Sequence, residues 1–188
     1  MTAEIAGTLI GIAYLYWEYQ ADRKVWLAGI AMPAISLYVY WQAGLYADFG
    51  INVYYLLAAV YGMWVWAAGK QEGGQEMPIS RTPSRMWPWL LASFMLSFAA
   101  IGLFLTHTDS TVPWWDAFTT ALAIVGMWML ARKWLEQWIA WILVDAVSSG
   151  LYVYKEIYFY AALYALYTVV AIFGYAKWKH MMNGSRRP

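Results

Sequence analysis

Trp26-Leu27-Ala28-Gly29-Ile30-Ala31-Met32-Pro33 and Trp138-Ile139-Ala140-Trp141-Ile142-Leu143-Val144-Asp145 stand 112 positions apart in the chain. The same offset carries Asn52, Tyr55, Ala59, Gly62 and Trp66 onto Tyr164, Tyr167, Ala171, Gly174 and Trp178. A second echo, Leu37-Tyr38-Val39-Tyr40 and Leu151-Tyr152-Val153-Tyr154, is 114 positions apart. One apolar module is therefore written twice. Duplicated modules in a membrane-type sequence are how many transporters build a binding site near the bilayer midplane.

The solvent is set by composition. Of 188 residues 63% are hydrophobic and 12% charged, too few polar side chains to cover a water-soluble domain. Apolar stretches over about 4–19, 25–43, 51–69, 87–106, 113–131, 134–154 and 157–178 approach the roughly 20 residues that cross a bilayer as a helix. The start, Met1-Thr2-Ala3-Glu4, lacks a basic leader and cleavage pattern, so the first span is expected to be retained. With the N-terminus outside, eleven of the 12 cationic side chains fall in inner segments and only Lys155 lies outside. The positive-inside bias thus predicts an external N-terminus and a cytoplasmic C-terminus.

Gly73-Gly74, Pro78 and Pro83 mark 70–86 as a cytoplasmic linker. The expected plan is an all-α membrane protein of seven transmembrane helices in a 3+1+3 order. A first three-helix repeat occupies 1–69, a connecting helix 87–106, a second repeat 113–180 and a cytoplasmic tail 181–188. The lone fourth span gives the two repeats the same orientation, the parallel arrangement of SWEET-type transporters.

Several classes of chemistry lack material. A net charge of +1 gives no basic face for nucleic acid. No cysteine is present, and His107 and His180 sit at loops or ends, so no metal site is expected. A retinal-type receptor would need a mid-membrane lysine, and an intramembrane hydrolase a buried base beside Ser148 or Ser149. Neither is found, and no enzyme is expected. A structural or signalling subunit stays open, because packing alone explains small-residue stripes.

The candidate site is what interrupts the apolar spans. Asp145 falls mid-span, where an ionised carboxylate costs about 2.5–3.5 kcal/mol on insertion scales, so it should face the protein interior. Helical spacing places Trp138, Trp141, Asp145, Ser148 or Ser149, and Tyr152 on one stripe. An aromatic wall beside a carboxylate suits a flat cation. Trp138 is either part of that wall or an interfacial belt residue, and Asp145 either pairs with a ligand or bonds a neighbouring helix. Tyr160, Tyr164 and Tyr167 continue the pattern in the seventh span, and Asn52 and Tyr55 in the third. Asn52 could equally cap its helix, and Pro33 should kink or loosen the second span.

Three segments together carry a family resemblance: Asn52-x-x-Tyr55-x5-Tyr61-Gly62-x-Trp64, Trp138-x-x-Trp141-x3-Asp145, and Tyr158 to Trp178 ending Gly174-Tyr175-x-x-Trp178. Across essentially its whole length the chain resembles the PnuC family of vitamin transporters. The resemblance implies facilitated diffusion of a B-type vitamin, most often nicotinamide riboside, with thiamine and riboflavin carried by relatives. It further implies uptake driven by cytoplasmic phosphorylation of the substrate, without a cofactor or ATP site in the transporter, and no G-x-x-x-x-G-K-[ST] loop occurs. By the same resemblance Trp138, Trp141, Asn52, Tyr55 and Tyr164 would line the cavity and the chain would form a homotrimer; Tyr61, Tyr152 and Tyr167 are further candidate substrate-binding residues. Nicotinamide riboside and thiamine, both cationic, rank above neutral riboflavin on cation–π grounds. The two modules would rock about the site to expose it alternately to each side.

Overall fold

The structure is a computed structural model. It describes residues 2–43, 46–69 and 77–184, with side chains for 10–42, 49–69 and 77–184. Among the described residues the chain is helical throughout: α1 (Thr2–Tyr19), α2 (Val25–Ala43), α3 (Tyr46–Ala68), a 3-10 turn (Ser84–Met86), α4 (Trp87–Leu105), α5 (Pro113–Ala131), α6 (Gln137–Tyr154) and α7 (Tyr158–Gly184). α3 begins five residues earlier than its apolar run suggests, and α7 continues beyond its apolar run to Gly184. α2 runs through Pro33 as one helix. Among the described residues five helices are long and apolar enough to cross a membrane by length and composition. α6 is not among them, because Gln137, Asp145, Ser148 and Ser149 dilute its hydropathy.

The helices obey the 112-residue offset rather than the 114. Val25 and Gln137 open the second helix of each repeat, Tyr46 and Tyr158 the third, and Tyr19 and Ala131 close the first. Tyr40 is therefore the counterpart of Tyr152. Several hydrogen bonds of the turn between first and second helices recur at this offset. The Asp22 amide donates to Trp17 O at 2.9 Å and Trp134 to Met129 O at 3.0 Å; Leu27 donates to Lys24 O and Ile139 to Glu136 O, both at 3.0 Å. Each turn also holds one non-glycine residue in the left-handed region, Ala21 at φ 54° and Lys133 at φ 51°.

Two compact units result: Met1–Pro78 with Ala131–Lys133, and Ile79–Leu130 with Trp134–Pro188. In the first, α2 packs against both α1 and α3. Trp26 lies across Gly62, where any Cβ would overlap its indole, and meets Trp66 edge to face at 5.4 Å and 89°. Trp66 Nε1 donates to Ala131 O at 3.1 Å, and the Lys133 ammonium sits 4.2 Å above the Trp66 ring.

In the second unit α6 packs on α7 in the same manner. Trp138 covers Gly174, where a Cβ would fall 2.6 Å from its ring, and meets Trp178 edge to face at 5.7 Å and 88°. The four tryptophans Trp26, Trp66, Trp138 and Trp178 are all fully buried. Ser149 Oγ donates to Ala161 O at 2.8 Å across α6 and α7. α4 joins through Phe94 against Phe118 and Phe98 against Trp114. Behind the helices, Glu136 Oε2 accepts from both the amide and the hydroxyl of Thr82, at 2.8 and 2.9 Å, while Leu135 donates to Ser80 O. At the other end Asp116 accepts from Ser110 Oγ at 2.8 Å and pairs with Lys155 at 3.5 Å.

The glycine contacts make a measurable prediction. Gly174→Ala forces the Trp138 indole to move and is expected to cost about 1–3 kcal/mol, as overpacking does. Gly150→Ala, on the same unit but with open space around its Cβ position, is expected to be neutral or slightly stabilising. Thermal unfolding in detergent compares the two.

Candidate functional site

Trp138 and Trp141 are one helical turn apart but have different surroundings. Trp138 points at α7 and is sealed there by Gly174 and Trp178, 1% exposed. Trp141 is only half-buried, and its indole edge stands 3.6 Å from where a Cβ on Gly126 of α5 would be. Trp138 thus matches Trp26 of the first unit in position, partner and burial. Trp141 matches Gly29, which has no side chain.

That difference is compensated on the adjacent helix. Gly29 is covered by the Tyr14 ring, 3.5 Å from the Cβ position, and the counterpart of Tyr14 at offset 112 is Gly126. The first unit therefore places the aromatic on its first helix and the glycine on its second; the second unit exchanges them. The contact volume is kept while an indole is transferred to α6, onto the stripe that carries Asp145.

Asp145 is 9% exposed. No Lys or Arg lies in the apolar middle of any helix, so no side-chain cation at that depth offsets its burial. Its carboxyl lies within electrostatic range of the phenols of Tyr164 and Tyr167 on α7. Those rings belong to a continuous aromatic run. Tyr152 stacks on Tyr160 at 5.5 Å and on Tyr164 at 5.2 Å, and Tyr164 meets Tyr167 at 5.6 Å. The second unit thus brings Asp145, Tyr152, Tyr164 and Tyr167 together, with Trp141 one turn from Asp145 along α6.

On the first unit Tyr55 lies beside Tyr54 at 5.7 Å, and Tyr61 is covered by the Arg132 guanidinium at 5.6 Å. Asn52 is partly buried on α3, inside the helix rather than at its N-cap. Two further polar groups are buried. Glu18, near the end of the first apolar stretch, is 2% exposed and within electrostatic range of Tyr14, itself near Tyr55. Gln137 is fully buried, and neither its Oε1 nor its Nε2 has a hydrogen-bond partner among the described residues. Such orphaned groups cost about 1–3 kcal/mol each. Comparing the repeats position by position would have found it, since its counterpart is Val25.

The arrangement separates scaffold from site by stability. Trp138→Ala is expected to cost about 3–5 kcal/mol, as for a fully buried aromatic, and Trp141→Ala well under half of that. Thermal midpoints in detergent that put the two on a par would contradict the assignment of Trp138 to the scaffold.

Comparison with known proteins agrees with this architecture. The family model described as nicotinamide mononucleotide transporter matches residues 1–180. The chain is 22% identical to the nicotinamide riboside transporter PnuC of Escherichia coli strain K12, covering 93% of this chain and 84% of that protein. It is 24% identical to the riboflavin/roseoflavin transporter RibM of Streptomyces davaonensis, over 99% and 88%. The crystal structure of the vitamin B3 transporter PnuC superposes with a TM-score of 0.70 at 19% identity, covering 95% of this chain and 80% of that one. With seven helices, a duplicated three-helix unit and a family match over nearly its full length, this chain is a multi-pass membrane protein of the PnuC-type nicotinamide mononucleotide transporter family.

Proposed function

We propose that the protein is a uniporter that admits a cationic B-type vitamin, nicotinamide riboside or thiamine, by facilitated diffusion across the bacterial inner membrane. Phosphorylation of the vitamin in the cytoplasm would trap it there, so the gradient needs no ATP site or cofactor in the transporter itself. The observation that carries this reading is the α6 face on which Trp141 and Asp145 stand one turn apart beside the Tyr152–Tyr164–Tyr167 run. Aromatic faces attract a pyridinium or thiazolium by about 0.5–2 kcal/mol each when desolvated. An unpaired carboxylate in a low-dielectric interior gains most from a ligand that brings the missing positive charge.

In this reading Trp141, Tyr152, Tyr164 and Tyr167 contact the ring and Asp145 balances its charge. Trp138 holds α6 at the angle that presents them. Asn52, Tyr55 and Tyr61 are candidate substrate contacts on the first unit. The cation distribution supports an external N-terminus and a cytoplasmic C-terminus. A homotrimer belongs to the same reading and rests on the family resemblance.

A neutral cargo is the second reading, favoured by the 24% identity to a protein named as a riboflavin/roseoflavin transporter. Calorimetry with nicotinamide riboside, thiamine and riboflavin on the purified protein decides between them. One of the two cations is expected to bind, with affinity lowered about tenfold or more by Trp141→Ala and by Asp145→Asn, a loss of about 1.4 kcal/mol in each case. Binding of riboflavin alone, indifferent to Asp145→Asn, would overturn the cationic assignment; binding of none of the three would overturn the vitamin reading.

A further inference from the structure

The two units differ most where α6 turns one particular face. At 100° per residue, Gln137, Ser148, Trp141, Tyr152 and Asp145 fall within an arc of about 80°, in that angular order. Their first-unit counterparts at the three positions nearest the inner end are Val25, Gly29 and Pro33, none with a polar side chain. Around this arc the repeats stay alike. Trp26 and Trp138 hold the same ring contacts, Gly62 and Gly174 the same close approach, and Ala59 and Ala171 the same burial. The duplicated framework is retained, and within it Val25, Gly29 and Pro33 give way to Gln137, Trp141 and Asp145 along one stripe of α6.

Gln137 has no role so far and, unlike Ser148, whose counterpart is Ser36, it has no polar counterpart in the first unit. Val25 is as completely buried as Gln137, so the fold packs the position equally well with a side chain that needs no hydrogen bond. Two orphaned polar atoms there lower stability without improving packing. Trp141 Nε1, one turn along the same stripe, is also buried without a partner among the described residues. Trp138 Nε1 is too, but so is Trp26 Nε1 in the first unit, which assigns that pair to the shared scaffold. Once the shared features are subtracted, an acceptor (Gln137 Oε1) and two donors (Gln137 Nε2 and Trp141 Nε1) remain on the α6 face.

We propose that Gln137 is a specificity-determining residue whose carboxamide pairs with a neighbouring donor and acceptor on the edge of the transported ring. This rests on the vitamin-transport reading above and sharpens it. The substrate class becomes a planar heterocycle with an amide-like or amidine-like edge, such as the primary carboxamide of nicotinamide riboside or the aminopyrimidine of thiamine. Two-point pairing of this kind rejects isosteres lacking the donor, because the fully buried Gln137 Oε1 is then left unpaired.

Calorimetry on the purified full-length protein tests it with matched ligands of equal charge: nicotinamide riboside against 3-acetylpyridine riboside, and thiamine against its analogue with hydrogen in place of the pyrimidine amine. The wild-type protein is expected to prefer the amide or amine by about tenfold or more, the discrimination of a hydrogen-bonding site. Gln137→Leu is expected to reduce that preference to within about twofold of unity while leaving the thermal midpoint unchanged or raised, since it removes orphaned polar atoms without emptying the position. A wild-type preference that survives in Gln137→Leu overturns the proposal and leaves the transport reading intact, as does wild-type binding with no preference at all. The wild-type comparison holds even if the variant fails to fold. Should the wild-type protein bind no member of either pair, the transport reading fails and this inference with it.

Discussion

Everything in this molecule hangs on an indole lying flat across a glycine. Trp26 on Gly62 and Trp138 on Gly174 leave no room for a Cβ, so the second and third helices of each repeat approach closely and in one register. In a bilayer, where lipid is as apolar as a leucine, hydrophobic transfer does not drive helices together; close van der Waals contact does. Edge-to-face pairing with Trp66 and Trp178 then fixes the ring that fills the gap. Because Trp138 is held against α7, the rotation of α6 about its own axis is set, and so is the direction of every side chain on the neighbouring arc.

Duplication supplied the framework, and departure from duplication supplied the chemistry. The left-handed residue in each interhelical turn, several of the hydrogen bonds around it and the starts of the second and third helices recur at one offset. Tyr14 over Gly29 and Trp141 against Gly126 show how an aromatic was moved between helices with little change in total volume, since each large side chain faces a glycine on the partner helix. Such an exchange leaves packing nearly untouched while turning a symmetric pair of modules into an asymmetric one. A carboxylate and a carboxamide on the same face complete that asymmetry.

The second unit is also tied at both ends. Glu136 satisfies two Thr82 donors beside the first turn of α6, and Asp116 gathers Ser110 and Lys155 at the opposite end. These polar contacts sit where the helices leave the apolar slab, and the interior is left to aromatic and small residues. Polar groups at depth are therefore few, and each stands out as a candidate for function.

Much of this was legible in the chain itself. Composition and run lengths determined a membrane protein of seven helices, because backbone groups in hydrocarbon must be satisfied within each span and only helices of that length do so. The 112-residue offset determined which positions correspond, and Asp145 and Trp141 stood out because polarity and spacing are properties of the sequence. Only the tertiary structure separated Trp138 from Trp141, and showed that Glu18 is buried and that Gln137 is buried like Val25. The physical reason is common to all three: in a bilayer, residues facing lipid and residues facing protein are equally apolar, so hydropathy carries no record of which face is covered. Burial and partnership follow instead from the angle at which an indole settles on a glycine of the next helix.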